Sequence, residues 1–143
     1  MKKTQFRPHG ECNIWSEDNF VVVHTYGPWD AEHVRLGHQL IMEEAKAFNG
    51  KPWRMLGIVH GESIHTVESQ EEQIRAIRIQ QAHGRIGTAL VWVDAPETRQ
   101  FLAEIFLKMY ARAGEPVQTF PDEASARAWL KEHRELGACN SPR

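Results

Sequence analysis

Cysteine is scarce in this chain: Cys12 and Cys139 are the two in 143 residues, near opposite ends and without CxxC spacing. That usage suits reduced thiols in a cytoplasmic protein better than a disulfide framework. Long apolar runs are missing too. None approaches the roughly 18 residues of a membrane span. The start, MKKTQFRPHG, has two lysines but no apolar stretch of the signal-peptide kind. Neither charge sign dominates: 17 basic against 19 acidic residues give a net charge of -2 and a pI near 6.4. No basic stripe offers itself to a phosphate backbone, so nucleic acid is not expected as a partner. GxGxxG, P-loop and GxSxG patterns are absent, which leaves no signature for a nucleotide, another cofactor or a serine hydrolase. No repeat, low-complexity tract or linker divides the chain. What is present, 41% apolar residues over 143 positions, suffices for one domain burying roughly 70% of its unfolded surface. The expectation is a single domain over 1–143, with its core at about 12–133 and GACNSPR as a short flexible tail.

Hydrophobic periodicity switches repeatedly between two and 3.6. CNIW and FVVVHTYG, separated by SEDN with its turn formers Ser16, Asp18 and Asn19, predict an antiparallel hairpin. GPWDAEHVRLGHQLIMEEAKAFNG predicts an amphipathic helix: Asp30 offers an N-cap, Val34, Ile41, Ala45 and Phe48 recur on one face, and Asn49-Gly50 closes it. WRMLGIVHG reads as a buried strand. Ser69 with Glu72 forms a capping box before QIRAIRIQQAHG, where Ile74 and Ile77 mark one face and Gly84 the stop. TALVWVD is a central strand, and Pro96 suits the first turn of a third helix. That helix carries Phe101, Leu102, Ile105, Phe106, Met109 and Tyr110 as a wide apolar stripe. PVQTF is a short strand and Asp122 caps EASARAWLKEHREL. The order β-β-α-β-α-β-α-β-α requires crossovers. An α/β fold follows: a mostly parallel sheet of four to five strands, an antiparallel edge strand and four covering helices.

HGESIHTVESQEEQ, residues 60–73, is the polar stretch that invites chemistry. His60, Glu62 and His65 supply donors that zinc or iron accepts, as a small metal-dependent hydrolase would need. Yet a strand end and Gly61 interrupt the helical geometry that presents two rings from one face, and no cysteine lies nearby. His60 beside Ser63 gives no oriented base and oxyanion hole. The plain reading is a strand-to-helix loop, capped by Ser69, whose histidines face solvent. As a carboxyl-end loop of an α/β sheet it is also where ligands or partners dock, which makes His60, Glu62, Ser63, His65, Thr66 and Ser69 the candidate rim. His33 and His38 on the first helix point to different faces and add little.

Three phrases carry a family resemblance. NFVVVHTYGPWDAEHV resembles the strand-Gly-x-x-Asp-helix start of STAS domains of the SpoIIAA-like branch, and GTALVWVDAP resembles a central strand of that fold. VQTFPDEASARAWL is similar to its closing strand, acidic turn and last helix, with Phe120, Asp122, Glu123, Ala124, Ala128, Trp129 and Leu130 in place. The likeness spans roughly residues 12 to 133 by element order. It implies regulation through partner proteins, and in anti-sigma-factor antagonists a phosphorylated serine at the helix start after the third strand. Ser69 is the positional equivalent. The family's Asp-Ser followed by a hydroxyl residue and Gly is here Glu68-Ser69-Gln70-Glu71, and the flanking carboxylates would repel a phosphate. Similarity in fold to Sec14-type lipid-binding modules implies an apolar pocket beneath the third helix.

Five tryptophans bear on that pocket. Trp92 and Trp129 lie in core-like runs, whereas Trp29 and Trp53 each stand beside a proline at a turn, where an aromatic lines a groove. Trp29, Phe101, Ile105, Phe106, Met109 and Tyr110 are thus the residues expected at a pocket or homodimer face. The expected function is a non-enzymatic regulatory or binding module, with no cofactor, that docks a partner protein or holds a small apolar ligand. Its alternatives are the phosphorylation-switched antagonist and the hydrolase.

Overall fold

Every strand predicted from the period of two is present, and one more precedes them. The computed structural model describes residues 2–5, 11–61, 65–93 and 99–132. β1 (Lys2–Gln5) pairs antiparallel with β2 (Glu11–Glu17), and β2 pairs antiparallel with β3 (Phe20–Tyr26). β4 (Trp53–His60), β5 (Arg85–Trp92) and β6 (Val117–Phe120) then follow in parallel, so the six-stranded sheet has the order β1-β2-β3-β4-β5-β6. The α/β class and the mostly parallel sheet are as expected. The hairpin strand CNIW is antiparallel but not at the edge, because β1 covers it. KKTQ has no apolar alternation, which is why hydrophobic pattern does not reveal it.

Helices α1 (Ala31–Ala45), α2 (Val67–Ala82) and α3 (Arg99–Ala113) connect the parallel strands, and α4 (Glu123–Glu132) ends the described chain. Asp30 caps α1 by accepting from the His33 amide at 2.8 Å, and Asp122 does the same for α4 through Ser125 at 2.8 Å. A short 3-10 turn (Lys46–Phe48) follows α1, and Asn49 and Gly50 close it with left-handed φ values of 53° and 81°. The cap of α2 departs from expectation. Thr66 Oγ1 accepts from the Ser69 amide at 3.0 Å, so the helix begins a turn earlier and Ser69 lies within it.

Strand pleating sorts the side chains onto two faces. Cys12, Ile14, Val21, Val23, Trp53 and Met55 face α1, while Val59, Leu90 and Trp92 face α2 and α3. On the opposite face Phe20, Val22, Leu56, Ile58, Ala89 and Val91 pack under α4 through Ala126 and Leu130. Right-handed crossovers between sequential neighbours put all three connecting helices on one side, leaving the other to α4 alone. Arg127 of α4 ties back to β2, donating to Glu17 at 2.6 and 3.1 Å and to Glu123 at 2.7 Å. These bonds hold the Glu17 carboxyl below the usual carboxylate range.

The predicted stripe of α3 is narrower than its sequence. Leu102, Phe106, Met109 and Tyr110 are buried, Ile105 is half-buried, and Phe101 is 59% exposed. Phe101 turns to solvent because it lies about 100° around the helix from Leu102, off the face that meets the sheet. Trp53 is no groove aromatic either: it is fully buried, stacks on Phe48 and donates from Nε1 to the His83 carbonyl at 3.0 Å. Pro96, Cys139 and the GACNSPR tail lie outside the described residues.

Candidate ligand cavity

Between the sheet and the α1–α2 pair lies a partly open cavity of about 40 Å³. Its apolar wall comes from Ile14, Val23, Val34, Ile41, Val59 and Leu90, and its aromatic wall from Trp29, Phe106 and Tyr110. Two glycines line it as well: Gly57 on the floor, in β4, and Gly37 on the roof, in α1. A Cβ at Gly57 would come within 2.9 Å of the Leu90 side chain, whereas one at Gly37 would meet only the Trp29 ring, at 3.9 Å.

Three of the lining residues carry a buried polar atom with no hydrogen-bond partner: Thr25 Oγ1, Trp29 Nε1 and His65 Nδ1. Their residues are 4%, 8% and 5% exposed. A buried polar atom without a partner costs about 1–3 kcal/mol, so a lining that carries three of them suits a guest with a polar group. The aromatic packing explains how they come together. A parallel β-bridge joins Trp29 to His65, whose rings stack with centroids 5.2 Å apart, and His33 meets the Trp29 ring edge-on at 4.0 Å. Phe106 closes the far side of His65 at 5.1 Å.

The cavity is electrically quiet. None of its lining residues is Asp, Glu, Lys or Arg. Burial, reinforced by the neighbouring His33, pulls His65 down to about 3, so its ring is neutral at physiological pH. Burial likewise pushes the Cys12 thiol up to about 12, and it stays protonated. His38 is held below the ordinary histidine value, chiefly by burial.

A buried polar network sets how His38 presents itself. Arg85 and Glu115 form an ion pair at 2.8 Å whose side chains are almost wholly buried. Thr88 accepts from Arg85 at 2.7 Å and donates to Glu115 at 2.6 Å, and Gln81 donates to Glu115 at 3.0 Å. Arg85 also donates to Gln80 Oε1, because a guanidinium can only donate. The Gln80 amide nitrogen therefore faces His38 Nδ1, at 2.8 Å, and donates to it. Neutral His38 consequently carries its proton on Nε2.

The structure separates the residues of the 60–73 stretch. His65 lines the cavity and is buried, not solvent-facing. His60, at the end of β4, lies on the opposite face of the sheet, where its Nε2 stands 2.9 Å from Nδ1 of His24. An alternating strand sends Val59 and His60 to opposite faces, and His65 lies on the side of Val59. The two histidines do not converge on one ion, and Glu62 and Ser63 lie outside the described residues. Among the described residues no group of three His, Cys, Asp or Glu side chains is placed to hold a metal. Thr66 is the helix cap. Ser69 is fully buried, and its hydroxyl donates to the Thr66 carbonyl at 2.9 Å, so a kinase would have to open the first turn of α2 to reach it.

Of the residues expected at an apolar pocket, Trp29, Phe106 and Tyr110 line the cavity, while Phe101, Ile105 and Met109 do not. Sequence reasoning missed Thr25, Gly37, His38 and Cys12. For Thr25 and Cys12 the signal was parity: Thr25 lies two residues on from Val23, and Cys12 is its cross-strand partner, so both share with Val23 the face on which α1 packs.

Comparison with protein-family models, curated proteins and solved structures yields no match for this chain. No helix among the described residues is long and apolar enough to cross a membrane.

Proposed function

We propose that this chain is a non-enzymatic binding module of STAS-like architecture, cytoplasmic by its cysteine usage, that holds a small molecule between the sheet and helices α1 and α2. The observation that carries this reading is the cavity of about 40 Å³, lined by uncharged residues, three of which carry a buried polar atom without a hydrogen-bond partner. The Cys12 thiol on that lining is held protonated, which removes it as a nucleophile. The volume suits roughly three water-sized groups, which is too little for an acyl chain of the Sec14 type.

Xenon titration of methyl-labelled protein tests the reading, since xenon enters dry cavities without needing a hydrogen bond. Saturable shifts confined to the methyls that line the cavity, those of Ile41, Val59 and Leu90 among them, are expected. Gly37→Ala, which adds a methyl beside Trp29, should abolish them. Shifts that grow linearly with xenon pressure, or that spread evenly over the protein, would overturn it.

A further inference from the structure

The walls of the cavity restrict the chemistry of any guest more tightly than its volume does. Trp29 Nε1 is a donor and nothing else, it is buried, and it has no partner. A guest that satisfies it must bring a lone pair. Thr25 Oγ1, also unpartnered, can donate or accept, so it adds a second bond without changing that demand. A guest carrying charge finds no counterion, because the buried cation Arg85 is already committed to Glu115, Gln80 and Thr88. Burying a charge without a partner is far more costly than burying a dipole. The remaining surface, from Ile14, Val23, Ile41, Val59 and Leu90, rewards a hydrocarbon body.

We infer that the cavity selects an uncharged molecule of about three to five non-hydrogen atoms bearing one oxygen acceptor, the chemistry of a short-chain ketone, aldehyde or alcohol, with the Trp29 indole as its donor. This rests on the binding-module reading above and specifies its ligand. His65, neutral and stacked on the Trp29 ring, fixes the direction of that donor. His38 stands on the same lining at the half-buried side of α1.

Acetone is the probe, added to the full chain labelled with nitrogen-15, and the readout is the indole N–H resonance of Trp29. Trp53 serves as the internal standard, since its indole already donates to the His83 carbonyl. Acetone should shift the Trp29 resonance saturably and leave that of Trp53 in place, while acetate at equal concentration moves neither. Trp29→Phe keeps an aromatic ring but removes the donor. It should weaken acetone about five- to tenfold, read on the Val59 and Leu90 methyls, while xenon still saturates the enlarged cavity.

Xenon saturating the cavity while acetone leaves the Trp29 resonance unmoved would overturn the acceptor requirement and leave the binding module standing. Acetate acting as acetone does would overturn the restriction to uncharged guests. If neither xenon nor acetone enters, the cavity holds water only and both readings fall.

Discussion

Nδ1 of His24 lies 2.9 Å from Nε2 of His60, and the two imidazoles sit at the middle of a stack that runs from Trp15 to Tyr26 across β2, β3 and β4. One proton is shared across that distance, and a second would place two cations in contact. His24 is accordingly held below the ordinary histidine value, first by burial and then by His60, with Glu123 opposing and Arg127 adding to the effect.

Stability should therefore fall as pH drops below about 6.5. His24, His38 and His65 are all depressed in the folded state, so each contributes stability that is complete above the unfolded value and is lost as pH falls towards the folded one. For His65 the window runs from 6.5 down to about 3. Each histidine adds a slope of at most about 1.4 kcal/mol per pH unit, less for the partly exposed His24 and His38. Urea midpoints measured from pH 7.5 to 5 should decline, and His65→Leu should flatten the decline by about one proton. A midpoint constant across that range would contradict the burial of these rings.

The Arg85–Glu115 pair makes a separate prediction. Glu115→Ala leaves a guanidinium buried without its carboxylate and should cost about 3–5 kcal/mol in chemical denaturation. Arg85→Met combined with Glu115→Leu removes both charges and should restore most of the loss. A double variant no more stable than the single one would show that packing, not the uncompensated charge, dominates.

Gly84 and Gly50 both have positive φ, 106° and 81°, yet their surroundings differ. A Cβ at Gly84 would lie 2.9 Å from the Lys51 carbonyl and 3.1 Å from the Trp53 ring, whereas Gly50 opens onto empty space. Gly50→Ala should cost about 1 kcal/mol from backbone strain alone. Gly84→Ala should cost clearly more and should also quench or shift Trp53 fluorescence. Equal costs would mean that the turn relaxes freely.

Phe106→Ala should destabilise the domain by about 3–5 kcal/mol, because its ring packs on His65, Trp92 and Tyr110. Phe101→Ser, at a position 59% exposed, should change the melting temperature little. The reverse ranking in a thermal melt would mean that the exposed face of α3 is covered in solution.

The alternation of two and 3.6 was strong enough to read strands β2 to β6 and all four helices, and the Asp30 and Asp122 caps followed from side chains whose oxygens have one local use. The helix start at Thr66 was less legible. Thr66-x-x-Ser69 and Ser69-x-x-Glu72 are both plausible caps by residue type, and the choice falls to Thr66 because the bridge from Trp29 to His65 fixes the chain just before it. His60 and His65 looked like one loop cluster, yet the strand pleat sends His60 to its partner His24, 36 residues away. That pair becomes visible only when β3 and β4 are set in register, with Tyr26 opposite His60. The Arg85–Glu115 pair, 30 residues apart, was hidden for the same reason: ordinary surface charges in sequence become a buried pair only through packing.

Strand order in the sheet repeats strand order in the chain. No strand has to be inserted between two that have already formed, so the sheet can lengthen at one edge as each strand-helix unit leaves the ribosome. Contacts between such neighbours close short loops, and this favours rapid assembly for a largely parallel sheet. The exceptions come from α4, whose Ala126 and Leu130 pack on Phe20 and Val22 and whose Arg127 ties to Glu17, 110 residues away. The second face of the sheet is therefore sealed last, after synthesis has passed α4, and until then its apolar strands are the surface a chaperone would meet.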